Sequence, residues 1–406
     1  MAESTSGDRV RLLALGLVAV AIAEAAVLVW GLSATMGVAG LLGDLDIYRG
    51  AVSWALAGND LYTYTYQHPT VHGLGFTYPP FAALVLLPFA LMASLPAKIV
   101  WTILTFVVVV GCVHVLVRHA RHDPQSRLAR TASRQARTAW VAGLSIPVMA
   151  TYPFLHNLIV GQVSLFVVAL ALCDQLLPQR WQGVLVGLSG AIKLTPLVFV
   201  PYYLLTRQWR QAALCGGTFA AATGLAFLVL PGASVEYWTS MLWQTSRVGR
   251  TDSTVNKSLL GLLARQLPDG APVTVVWLAV AVAVAALAYW RASRSFADGD
   301  LLAATLVVGA LSVALSPISW PHHQLWLVFA AAWYLLQRGR ASLALGAGLF
   351  AIFFGYAWFD DYPAGTLGPL LGVGVELPAL AVLLVIGFGL RPGRRQSLAA
   401  AGAVHA

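Results

Sequence analysis

Stretches of about twenty apolar residues recur along this chain, and they decide what it can fold into. At 1.5 Å per residue, each makes a helix of about 30 Å, the thickness of a bilayer core. Only 10% of the residues are charged, against about 25% in a soluble domain. So few charges cannot coat a water-exposed surface, so most of the surface faces lipid. The expected fold is all-α, a polytopic bundle of transmembrane helices. The first run, Val10 to Leu32, follows Arg9 and Arg11. It exceeds the 7–15 apolar residues of a cleaved signal peptide, so it reads as a retained first helix. Cys112, Cys173 and Cys215 all lie inside apolar runs without metal-ligand spacing, which points to packing.

Most basic residues fall in short clusters: Arg9/Arg11, Arg118 to Arg137, Arg180, Arg207/Arg210, Arg291/Arg294, Arg338/Arg340 and Arg391 to Arg395. Basic loops stay in the cytoplasm, so an even number of crossings must join neighbouring clusters. Parity settles two regions. Residues 10–32, 81–95 and 98–117 are all apolar, yet only two can cross before Arg118. The middle one is short and bracketed by prolines, and is expected to lie along the outer interface. Between Arg180 and Arg207 there is one apolar run, with Lys193 and Pro196 at its centre. A break there, giving two half-helices, restores parity. The count becomes twelve segments, with both termini cytoplasmic and the plasma membrane as location. The outer side receives 33–97, 156–161, the Lys193 tip, 231–269, 319–323 and 358–364. Almost every unusual polar cluster lands there: "GDLDIYRG" (43–50), "FTYPPF" (76–81), "HNLIVGQVS" (156–164), "IKLTP" (192–196), "STVNKSL" (253–259) and "SPISWPHHQ" (316–324).

Asp44 and Asp46 are two apart, so on a helix they point in different directions. Asp44 stands where an N-cap would be, which is its plain structural role; the alternative is a buried base. Lys193 in mid-run is costly at roughly 2.5–3.5 kcal/mol on insertion scales, so a functional site or internal ion pair is the default. Adjacent His322 and His323 begin a helix beside Trp320. They serve as structural histidines, as groups that hydrogen-bond a substrate, or as part of a metal site, although no further ligand pattern accompanies them. Arg49, Arg247, Arg250 and Lys257 add cations on the same side, consistent with an anionic group such as phosphate. Gln162 and Asn157 sit at a tight hairpin, where satisfying backbone competes with substrate binding. Tyr48 and Tyr78 supply aromatics of the kind that belt a membrane or stack on sugars.

In this order, "DLDIY", "FTYPPFAALVLLP", "GQVSL", "IKLTPLVFVPYYLL", "NKSLLGLL" and "SPISWPHHQLW" resemble the GT-C superfamily of membrane glycosyltransferases, and within it glycosyltransferase family 87. The resemblance covers nearly the whole chain, 1–406, as one domain. It implies a polyprenyl-phosphate-mannose donor, a mannosylated lipid acceptor of the phosphatidylinositol mannoside type, an α-1,2 product and a site facing the periplasm. Juxtamembrane helices in the first outer loop and an aspartate base there are implied too. The base that carries over is Asp44, whereas Asp46 occupies a variable position. Lys257, Ser164 and Pro321 depart from the residues common in relatives. No cofactor is firmly implied, a divalent cation stays open, and no nucleic-acid partner is expected.

A β-linked sugar phosphate giving an α-linked product is an inversion, which needs one base for the acceptor hydroxyl. The phosphate already leaves well, so the second carboxyl of glycosidases is not required. The expected catalytic groups are Asp44 as base and His322 near the reacting centre, with Lys193 on the donor phosphate. His323, Gln162, Asn157, Tyr48, Arg49, Tyr78, Lys257, Asp46 and Trp320 are the further substrate contacts. A twelve-segment transporter, with Lys193 and Glu376 marking its path, is the competing class. A non-catalytic scaffold would leave the cost of Lys193 unexplained.

Overall fold

The computed structural model describes residues 2–67, 73–129, 133–244, 247–355 and 369–388. The expected outer loop at 358–364 and the arginines from Arg391 onward lie outside them. Among the described residues the chain is helical, and β pairing is limited to two isolated bridges, Tyr66 with Leu74 and Ser126 with Gln337.

The helices are α1 (Ala2–Gly40), α2 (Gly43–Leu56), α3 (Pro80–Ala90), α4 (Ser94–His122), α5 (Arg134–Met149) and α6 (Tyr152–Val160). Next come α7 (Ser164–Cys173), α8 (Val184–Ile192), α9 (Phe199–Leu205), α10 (Trp209–Val229), α11 (Pro231–Thr239) and α12 (Leu259–Gln266). The last are α13 (Val273–Ala297), α14 (Leu301–Leu315), α15 (Leu325–Leu336), α16 (Arg340–Gly355) and α17 (Pro369–Phe388). Among the described residues, four segments are long and apolar enough to cross a bilayer: Asp8–Thr35 within α1, α4, α10 and α13. A fifth is added if α5 and α6, bent by 74°, count as one.

Burial follows from which helices are apolar all round. Every residue of α14 from Leu302 to Ala314 is buried, and α15 is nearly as enclosed. A helix without a polar face is stable in the interior or against lipid. These two form the centre, with α4, α7, α13, α16 and α17 packed around them. At the periphery α1 packs mainly on α5 and exposes Leu12, Leu13, Ile22 and Trp30, the surface a lipid-facing helix presents. Helices α8 and α10 approach closely because Gly187 lacks a side chain: a Cβ there would lie 2.3 Å from the Cys215 carbonyl oxygen.

The break expected at Lys193 is present. Helix α8 stops at Ile192, Lys193 is extended (φ −149°, ψ 124°), and a 3-10 turn over Thr195–Val198 leads into α9. The proline-bracketed stretch forms α3, separate from α4 and packed on α2, α8 and α10. The three cysteines are free, with Cys112 and Cys215 buried.

Candidate active site

Two left-handed residues set the position of Asp44. Leu42, between α1 and α2, has φ 58° and ψ 44°, and its N–H donates to the Ile159 carbonyl at 2.7 Å. Facing it, Gly161 ends α6 with φ 73°. A Cβ on Gly161 would lie 2.9 Å from Leu42 Cβ, so only glycine lets the α1–α2 joint seat on the α6–α7 hairpin. Asp44 is therefore not an N-cap. Leu42 holds that place, no side chain caps the helix, and Asp44 lies inside the first turn of α2. The seating of Leu42 has turned its carboxylate toward the hairpin instead.

There the Gln162 side-chain amide donates to Asp44 Oδ2, closer than an ordinary hydrogen bond. The Gln162 carbonyl accepts from the Tyr78 hydroxyl at 2.7 Å, and Tyr48 donates to the Tyr78 oxygen at 3.3 Å. All three bonds donate toward Asp44, as a carboxylate, which has only acceptors, requires. Oδ2 is thereby occupied. Burial pushes the Asp44 carboxyl up from 3.8 to about 6, while Gln162 and the Lys193 charge pull it down. A carboxylate with such a value is poised to take a proton near neutral pH.

Lys193, exposed by the helix break, projects beside this chain. Its Nζ donates to Ser164 Oγ at 3.0 Å, lies 2.7 Å from His323 Nε2, and sits 5.3 Å from the centre of the Tyr78 ring. His323 Nδ1 accepts from the Trp320 N–H at 3.2 Å, which fixes the ring at the head of α15. A cavity of about 20 Å³ is lined by Ser164, Lys193, Thr195, Ser316 and His323, enough for one water. His322 is the deeper of the pair, 2% exposed and stacked on His156 with the Nδ1 atoms 3.1 Å apart. Its Nε2 has no partner. Burial holds both His322 and His323 well below the ordinary histidine range, so both are neutral imidazoles at pH 7.

Other expected residues are engaged by the protein itself. Asp46 turns away from Asp44 and pairs with Lys98 at 2.8 Å and Arg49 at 3.3 Å. Lys98 also donates to the Leu41 carbonyl at 2.7 Å, which ties α4 to the α1–α2 joint. The Arg49 guanidinium donates to the carbonyls of Phe89 and Met92, at 2.9 and 2.7 Å, closing the end of α3. Asn157 is fully buried and braces the hairpin: its Oδ1 accepts from Leu165 N–H and its carbonyl from Gly161 and Gln162.

The distant stretches 253–259 and 316–324 are stitched together. Asn256 donates to the carbonyls of Thr251 and Pro317 and accepts from the N–H groups of Ser258 and Ser319. Lys257, 0% exposed, gives its N–H to the Ser319 carbonyl. Trp320 packs over Gly249, whose missing Cβ would fall 2.8 Å from the indole. Arg247 donates to the Phe76 carbonyl at 3.1 Å, and Arg250 pairs with exposed Asp252. Among the described residues no group of three or more His, Cys, Asp or Glu is arranged to hold a metal ion.

Three residues that shape the site carry little signal in sequence. His156 is a lone histidine in an apolar helix, 166 positions from the histidine it stacks on. Ser164 draws notice only as a departure from a family pattern. Lys98 reads as a basic residue near the start of a membrane helix.

The family model for glycosyltransferase family 87 matches residues 76–317, from the Phe76–Tyr78 aromatics to the loop before Trp320. A polyprenol-phosphate-mannose-dependent alpha-(1-2)-phosphatidylinositol mannoside mannosyltransferase of Mycobacterium tuberculosis is 33% identical over 311 residues, 74% of this chain and 72% of the relative. A polyprenol-phosphate-mannose-dependent alpha-(1-2)-phosphatidylinositol pentamannoside mannosyltransferase of Mycolicibacterium smegmatis is 32% identical over 333 residues, 80% of this chain and 78% of the relative. No solved structure matches. The matched span carries Tyr78, Gln162 and Lys193, and the chain belongs to glycosyltransferase family 87, a membrane-embedded enzyme of the glycosyltransferase class.

Proposed function

We propose that this chain transfers mannose from polyprenyl-phosphate-mannose to a phosphatidylinositol-mannoside-type lipid, forming an α-1,2 linkage with inversion. The observation that carries this reading is the half-buried Asp44 carboxylate. It is gripped on one oxygen by Gln162 and stands within the electrostatic reach of Lys193. The names of the relatives supply the donor and the acceptor class.

In this mechanism Asp44 Oδ1 accepts the proton of the acceptor's 2-hydroxyl as its oxygen attacks the mannosyl anomeric carbon. The bond to the phosphate oxygen breaks, and its electron pair leaves on the polyprenyl phosphate. Lys193, backed by Ser164 and His323, balances the charge growing there. His322, stacked on His156, holds His323 from behind. The Tyr48–Tyr78–Gln162 chain keeps Oδ2 engaged so that only Oδ1 is free to act.

For the membrane, the reading is twelve segments counted with the short apolar helices and the broken pair at Lys193, and both termini in the cytoplasm. On it, α2 and α3 lie at the outer interface and the site opens to the periplasm. A transport path through Glu376 gains no support, because that carboxylate is taken by Arg265 in a two-bond fork of 2.7 Å each. Incubating the purified protein with polyprenyl-phosphate-mannose and a panel of mannosylated lipids tests the function. A product one mannose heavier, with a new 1,2 linkage, is expected. Transport without glycosidic bond formation contradicts it.

A further inference from the structure

The end of the bundle away from Asp44 holds a second, larger cavity. Helix α15 starts beside His323 and runs twelve residues to Leu336, a rise of about 18 Å. At its far end a cavity of about 720 Å³ opens between α14, α15, α16 and α17. Its body is apolar, lined by Leu306, Leu345, Leu349, Ile352 and Leu384. Gly348 and Ala344 on α16 are exposed along one side, so the cavity opens laterally.

Its mouth is polar and rigidly built. Loop 126–128 is laced to the end of α15: Arg127 N–H donates to the Leu336 carbonyl, Arg127 Nε to the Gln337 carbonyl, and Arg338 N–H to the Gln125 carbonyl, at 2.8, 3.0 and 2.9 Å. Gln337 lines the cavity and is 4% exposed, yet among the described residues neither its Nε2 nor its Oε1 has a hydrogen-bond partner. A buried amide left unpaired is costly, and a ligand oxygen would recover that cost. Exposed Arg338 lines the same mouth, and Arg127 borders it through its bond to the Gln337 carbonyl. Trp333 and Gln125 connect it to an adjoining polar cavity of about 290 Å³ lined by both Arg118 and the carboxylates Asp123, Asp298 and Asp300, so the cationic character belongs to the Arg338 side of the mouth.

An apolar slot open to the side, a buried amide at its top without a partner among the described residues and an exposed arginine beside it match one kind of molecule. We propose that an anionic phospholipid binds here, one acyl chain in the slot, its phosphate and ester oxygens on Gln337 and Arg338. Basic pockets between membrane helices recognise anionic headgroups in this way. The site is separate from the one that binds donor and acceptor, and its test does not depend on catalysis.

The full-length protein is purified in mild detergent, and bound lipid is counted by native mass spectrometry after adding dioleoyl-phosphatidylglycerol or dioleoyl-phosphatidylcholine. Wild type is expected to retain one phosphatidylglycerol at least tenfold more strongly than phosphatidylcholine. A Cβ on Gly348 meets nothing within 4 Å, so Gly348→Phe has open space at its root and should fill the slot, reducing retention at least tenfold with transferase activity unchanged. Ala344→Phe is the second filling variant should the first fail to fold. Arg338→Glu and Gln337→Leu should erase the preference for the anionic lipid. Equal retention of both lipids, no retained lipid in wild type, or undiminished retention in a folded filled variant overturns the proposal.

Discussion

Gln162 donates its side-chain amide to Asp44 Oδ2, joining two residues 118 positions apart. The contact exists because Leu42 and Gly161 dock the α1–α2 joint on the α6–α7 hairpin. It gives the carboxylate one engaged oxygen.

Gln162→Leu removes that bond and strands the Tyr78 hydroxyl. Hydrogen bonds to charged groups contribute about 1.5–3 kcal/mol, so kcat is expected to fall roughly 10- to 100-fold. KM for the acceptor should change little, because the bond orients the base. Tyr78→Phe, one link further out, should have a smaller effect. Steady-state kinetics on the folded variants check both.

The pH dependence follows from Asp44. A base works as the carboxylate, and burial raises its pKa from 3.8 to about 6. Activity is therefore present above about pH 6 and is lost as pH falls through that value, well before an exposed aspartate would protonate. Because the Gln162 bond lowers this pKa, Gln162→Leu should move the acidic limb upward. A kcat/KM profile between pH 4 and 8, read with the donor saturating, measures both limbs.

Much of the site is legible in the sequence because the residues are out of place there. A lysine and a proline inside an apolar run announce a break, and Lys193 lies at one. Two carboxylates in a chain poor in acids draw attention, and the separation of their roles follows from helix geometry. The partner contacts are not legible. Asp44 does not cap α2, the plain structural alternative to a base, because Leu42 adopts a left-handed conformation that the tertiary seating on Gly161 stabilises. Arg49 resembles a free outer cation, yet the end of α3 takes it. His156 acquires meaning only when α6 meets the turn at Pro321–Gln324.

Asp46→Asn tests the other carboxylate. Its pairs with Lys98 and Arg49 are mostly buried, with side-chain exposures of 17%, 7% and 15%. Removing one partner of such a cluster leaves charges uncompensated, at a cost of about 3 kcal/mol. A lower thermal midpoint is expected, with near-normal turnover for the protein that remains folded.

Glu376→Gln breaks the fork with Arg265, whose side chains are 9% and 12% exposed. The loss should be about 3–5 kcal/mol of stability, seen as a lower unfolding midpoint. Mannosyl transfer per folded molecule should persist, because the pair bridges α12 and α17 rather than facing Asp44.

The most direct test compares Asp44→Asn with Asp46→Asn in mannosyl transfer from polyprenyl-phosphate-mannose, at equal folded protein. Asparagine keeps the shape of Asp44 and removes its basicity. Turnover is expected to drop at least 10²-fold for Asp44→Asn, within the usual range for losing a general base, and to stay near wild type for Asp46→Asn. Full activity in Asp44→Asn, or a loss confined to Asp46→Asn, would contradict the assignment of Asp44 as the base.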